Sequence, residues 1–184
     1  MSAAAATQEG AALRRLAYIS HYPEPLQAQV RGMVEQQTLG TMLRSKYGTA
    51  GHGVQTDRAL YDYVMALKNE YLRKVEPLAK VVFDAKLQVI SHALGTHTYV
   101  SRVQGSKLKA KREIRIASLF KRVPEPLLKM IVVHELAHTK ERDHGKAFYQ
   151  LCCHMESAYH QLEFDLRLVL THWDAVGPLE WSGA

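Results

Sequence analysis

The sequence predicts an α+β domain, with helices at both ends and short strands between them. Three observations carry that prediction. Apolar residues recur at helical spacing before residue 73 and after residue 124. β-Branched residues cluster between those limits, partly in period-two alternation. Glycine or proline stands at most of the joints.

Taken in order, residues 1–17 are expected to be a disordered tail. From Pro23 or Pro25 to about Tyr47, the spacing of Leu26, Val30, Met33 and Val34 fits an amphipathic helix, weakened by Gly32 and Gly40. The Gly48–Gly53 stretch lacks the Gly-Lys-Ser/Thr ending of a phosphate loop and is taken as a linker. Thr56 or Asp57 is placed to cap a helix with Leu60, Val64, Leu67 and Tyr71 on one face. After Pro77, Val81–Asp84 and Leu87–Ile90 flank a short turn, as an antiparallel hairpin would. His97–Val103 has strand composition, and Glu113–Ala117 alternates polar with apolar. Pro124-Glu125-Pro126 opens a helix expected to end near Asp143 to Gly145. Lys146–Glu156 and Tyr159–His172 follow as helices, the last with Leu162, Leu166, Val169 and Trp173 on one stripe. The expected organisation is a single domain over 18–176, with a second tail at 177–184. Its helical part spans about 23–73, its antiparallel sheet about 79–120 and its later helices about 124–173. The sheet should pack on the 124 helix, because Ile131, Val132 and Leu136 need burial.

Composition narrows the setting. With 47% apolar and 23% charged residues, the 184-residue chain is ordinary for a soluble globular protein. No run approaches the roughly 20 apolar residues that cross a bilayer, and the N-terminus lacks a secretory pattern. Cys152 and Cys153 are adjacent, a poor geometry for bridging each other, so a reducing cytoplasm and inert thiols are expected. The net charge of +6 is concentrated: Arg102 to Arg122 holds eight basic residues and one acid. Such a segment suits a lysine-guarded sheet edge, or the attraction of a phosphate-bearing ligand or nucleic acid.

His134-Glu135-Leu136-Ala137-His138 is the sequence form of a metal site on a helix. Residues four apart share a helical face, so both imidazoles can reach one tetrahedral ion, with Glu135 beside the water that the ion activates. The apolar run Met130–Val133 around them argues against two solvated surface histidines. Such a site needs a third ligand. His144 leads because it sits at the expected helix end, with His154, Glu156, His160 and Glu163 as competitors. One Zn2+ is the expected ion, and other divalent metals suit the same donors.

These residues resemble the YgjP-like metallopeptidase family. The likeness rests on His134 to His138 with His144 and Phe148, on Ala93–His97, Ser101–Gly105 and Glu113–Arg115, and on Phe148–Glu156 and Tyr159–Asp165. It runs from about Tyr18 to Thr171. The resemblance implies a minimal zincin, with zinc held by His134, His138 and His144 and with Glu135 as general base. It also implies an activity, described for members either as metallopeptidase or as UTP pyrophosphatase releasing UMP and diphosphate. In one respect the chain departs from a related pattern. His144 follows His138 at metzincin spacing, but Glu141 stands where metzincins place the glycine of their turn.

The expected function is therefore zinc-dependent hydrolysis, with activated water attacking the substrate and Glu135 taking its proton. For a peptide, His97, Arg102, Tyr149 or Tyr159 would supply the donor for the developing oxyanion. For a nucleotide, Arg102, Lys107 and Lys109 would hold the triphosphate. A third class is a basic nucleic-acid-associated module, or a protease acting on DNA-bound proteins. Oligomeric state has no signature in the sequence.

Overall fold

The computed structural model describes residues 16–87 and 113–181. Its elements are α1 (Glu24–Glu35), α2 (Leu39–Tyr47), α3 (Asp57–Tyr71), β1 (Lys80–Asp84), β2 (Glu113–Ala117), α4 (Glu125–Ala137), α5 (Lys146–Met155) and α6 (Tyr159–Ala175). Short 3₁₀ turns lie at Ala17–Ile19 and Ser118–Arg122. The described residues fall into two compact units, 51–162 and 16–50 with 163–181. No described helix is long and apolar enough to cross a membrane.

The unit 51–162 holds the sheet. Thr56 caps α3, its hydroxyl accepting the Ala59 N–H at 3.1 Å. Asp57, the next residue, accepts the Phe83 N–H of β1 at 2.9 Å and ties helix to strand. The two strands are parallel, in register from Lys80↔Glu113 to Asp84↔Ala117. This corrects the expectation of an antiparallel sheet. A parallel pair needs a crossover of a dozen or more residues, and residues 85–112 separate these strands in sequence. Alternation reports which face of a strand is buried but not its direction, so proximity in sequence suggested a hairpin. The expected strands at Leu87–Ile90 and His97–Val103 lie, all but Leu87, outside the described residues.

Helix α4 touches β2, α3 and α5. Leu127, Leu128, Met130, Val132, Val133 and Leu136 have no solvent exposure, so α4 is buried around most of its circumference rather than along one stripe. It does pack on the sheet as expected. Cys152 is buried in α5 and Cys153 half-buried, and neither is in a disulfide.

In the other unit, the expected helix from Pro23 to Tyr47 is two helices. Gln37 takes a left-handed conformation, φ 57°, while Gln36 N–H returns to Gly32 O and Thr38 N–H to Met33 O. That closure satisfies the end of α1 and turns the chain into α2. Asp165 of α6 is buried and accepts from the Tyr47 hydroxyl, with Lys46 as its ion-pair partner.

Two glycines of this unit separate packing from propensity. A Cβ on Gly40 would lie 2.6 Å from His172 Nε2 and 3.1 Å from Leu179 Cδ2, whereas one on Gly32 would meet nothing within 4 Å. His172 cannot easily yield, because its Nδ1–H donates to Gly177 O at 3.0 Å. Gly40→Ala should therefore destabilise by about 1–3 kcal/mol through overpacking. Gly32→Ala, inside α1, should stabilise by about 0.5–1 kcal/mol. Urea unfolding followed by circular dichroism checks both, and shifts of the same sign would contradict this packing.

Candidate metal centre

Two helices and the turn between them build the site. Pro124 precedes α4 and Pro126 lies in its first turn, where the missing N–H costs nothing. Glu125 accepts a hydrogen bond from the Tyr63 hydroxyl of α3, which fixes the start of α4. The helix ends at Ala137 with His138 as its C-cap, well before the Asp143 to Gly145 end that the sequence suggested. The backbone then folds back without a glycine in the turn. Glu141 N–H bonds to Ala137 O at 2.9 Å, and Thr139 Oγ1 donates to Leu136 O at 2.6 Å. Gly145 has an ordinary extended backbone, φ −83°, and serves as N-cap of α5.

This path brings His134, His138 and His144 together. Their Nε2 atoms form a nearly equilateral triangle, with 3.2 Å between His134 and His138, 3.3 Å between His134 and His144 and 3.1 Å between His138 and His144. Metal–nitrogen bonds of about 2.0–2.1 Å in tetrahedral geometry require an edge of about 3.3–3.4 Å. The triangle fits such an ion with a small outward relaxation.

Protonation agrees with the distances. His138 Nδ1 lies 2.9 Å from the Glu141 carbonyl, which only accepts, so Nδ1 carries the proton and Nε2 presents a lone pair to the other rings. His134 Nδ1 meets the Tyr159 hydroxyl at 2.7 Å. His134 and His138 are buried and His144 is half-buried. Lone pairs converging in a dry site need a proton or cation between them. These three residues form the described cluster able to hold a metal ion. Three protein donors, rather than four, is the composition of a catalytic site.

Phe148 closes one side. It is fully buried, its ring centroid 5.0, 4.4 and 4.7 Å from those of His134, His138 and His144. Glu135 is half-buried, and desolvation pushes its carboxyl up to about 7. A cation at the neighbouring histidines would act in the opposite direction, favouring the carboxylate.

The remaining sequence candidates divide. Tyr159 is fully buried, with its hydroxyl on His134 Nδ1 rather than on the Nε2 side. Tyr149 is half-buried, its ring 6.3 Å from that of His144 and 5.2 Å from that of His160. His97, Arg102, Lys107 and Lys109 lie outside the described residues. Among the described cations of the basic segment, Arg115 pairs with Asp84 at 3.0 Å and Glu113 at 3.3 Å, while Lys121 stands over the Phe83 ring. Of the competitors for the third position, Glu156 pairs with Lys129 and Glu163 with Arg167. Sequence reasoning missed the Phe148 packing and the Glu141 carbonyl. Phe148, one helical turn beyond His144, carried a faint signal, whereas a main-chain acceptor carries none.

Comparison with known proteins bears on this site. Residues 54–168 match the YgjP-like, metallopeptidase domain. The chain is 58% identical over 160 residues to the UTP pyrophosphatase of Escherichia coli (strain K12), covering 86% of this chain and 95% of that protein. No solved structure matches. With α3, α4, α5, both strands and all three histidines inside the matched span, this chain belongs to the YgjP-like metallopeptidase family and is a hydrolase.

Proposed function

We propose that this protein is a zinc-dependent pyrophosphatase hydrolysing UTP to UMP and diphosphate. The observation that carries this reading is the 58% identity to a UTP pyrophosphatase along 95% of that protein's length. The three-histidine cluster supports it, because phosphoryl chemistry draws mainly on positioning and on charge stabilisation.

In this reading His134, His138 and His144 hold one zinc ion, which when bound serves as a Lewis acid and makes water more acidic. Glu135 takes the proton of the attacking water. The water oxygen bonds to the α-phosphorus, the bridge to the β-phosphorus breaks, and the bridging oxygen leaves with diphosphate. Phe148 keeps bulk water off one side of the histidines. Arg102, Lys107 and Lys109 are the proposed holders of the triphosphate. A second reading, peptide hydrolysis, is favoured by the metallopeptidase description of the matched domain. It uses the same histidines and the same base, and differs only in what grips the rest of the substrate.

Zinc-loaded protein should turn over UTP faster than other triphosphates and leave unstructured protein intact. The reverse preference would establish the peptidase reading. Glu135→Gln should keep one zinc per chain by elemental analysis yet lose about 10²–10⁴-fold in UTP turnover. His134→Ala or His138→Ala should lose the metal itself, and full retention in both would remove these residues as ligands. Neutralising Lys107, Lys109 and Lys111 together should raise KM for UTP and spare a small neutral peptide; equal losses on both would point to damaged folding instead.

A further inference from the structure

We propose that Tyr159 is a positioning residue of the metal centre, its hydroxyl oxygen accepting the Nδ1–H of His134 and so holding that ring with Nε2 toward His138 and His144. The inference rests on the proposed metal site and is independent of which substrate the enzyme takes.

The argument starts from how firmly Tyr159 is placed. It is the first residue of α6 and has no solvent exposure. Its N–H bonds to Glu156 O at 3.0 Å. The Glu156 carboxylate accepts the Ala158 N–H at 3.1 Å through one oxygen and pairs with Lys129 at 2.7 Å through the other. Lys129 lies on α4, five residues before His134. The turn carrying Tyr159 is thus fastened to the ligand helix at two points, once by Lys129–Glu156 and once by Tyr159–His134. The Tyr159 and His134 rings are nearly parallel, at 18° and 6.3 Å between centroids, with the hydroxyl 2.7 Å from Nδ1.

The direction of this hydrogen bond follows from the metal. A neutral imidazole has one N–H. With Nε2 committed to a cation, the proton sits on Nδ1, and Tyr159 must accept it. A phenylalanine would leave that buried N–H without this acceptor. In the metal-free protein His134 has an alternative, since a proton on Nε2 faces the nitrogens of His138 and His144 at 3.2 and 3.3 Å. In that tautomer Nδ1 accepts from the Tyr159 hydroxyl instead, so loss of the hydroxyl touches both forms but weighs more on the metal-bound one, whose proton cannot move. His138 has the equivalent support from the Glu141 main chain, which side-chain substitution leaves in place.

The test is zinc affinity, measured by competition with a chromophoric chelator on protein stripped of metal. Tyr159→Phe should bind zinc about 10- to 100-fold more weakly, so that added zinc raises its melting temperature less than it raises that of the wild type. An affinity within twofold of wild type, alongside loss of metal in His134→Ala, would overturn the role of Tyr159. Wild-type affinity in His134→Ala would overturn it too, by removing the ligand it supports. Should Tyr159→Phe fail to fold, the zinc-loaded wild type carries the test by ¹H–¹⁵N NMR. A His134 Nδ1–H protected from exchange supports the assignment, and an Nδ1 without a proton overturns it.

Discussion

Three imidazole nitrogens held 3.1–3.3 Å apart, with no solvent on most sides, are the constraint around which this protein is arranged. Left to itself such an arrangement is unfavourable, because lone pairs repel and buried polar atoms lose water. A divalent cation turns the same geometry into a binding site. Much of the local architecture serves to keep it. Helix α4 is buried over most of its surface, and His134 and His138 are themselves buried. The Ala137–Gly145 turn delivers His144 and spends the Glu141 carbonyl on His138. Phe148 fills the space that water would otherwise occupy.

Glu135 connects this architecture to chemistry. Burial alone pushes its carboxyl up to about 7. A neighbouring cation would pull the other way, and the proposed role of general base draws on that opposition. That pairing does not distinguish an amide from a phosphoanhydride. In the proposed reading, selection between them falls to groups away from the metal, with Arg102, Lys107 and Lys109 the proposed holders of a triphosphate. Arg115 is committed to Asp84 on the neighbouring strand and to Glu113 on its own.

Much of the site was legible in the sequence, because a helix imposes its spacing on chemistry. Two histidines four apart with a glutamate between them have few other uses in an apolar segment, and His144 stood where a chain leaving that helix must go. Helix α3, with its Thr56 cap, was readable for the same reason. The misreadings have physical sources. Strand direction is set by a connection of 28 residues, 85–112, rather than by side-chain alternation. The break at Gln37 depends on a left-handed conformation that glutamine rarely adopts. Tyr159, one of the candidates for a donor to substrate, has its hydroxyl on His134 Nδ1, a contact that position in sequence does not reveal. His52 makes the opposite point. It is as buried as His134 and fully satisfied by Phe120 O and Val54 N–H, a core histidine that composition cannot tell from a ligand.

The central claim is that the three histidines share one ion. Zinc K-edge X-ray absorption of protein loaded with one equivalent of the metal tests it most directly. Three imidazole nitrogens and a lighter oxygen scatterer at about 2.0–2.1 Å are the predicted shell. A sulfur shell near 2.3 Å, or fewer than three imidazoles, would contradict it.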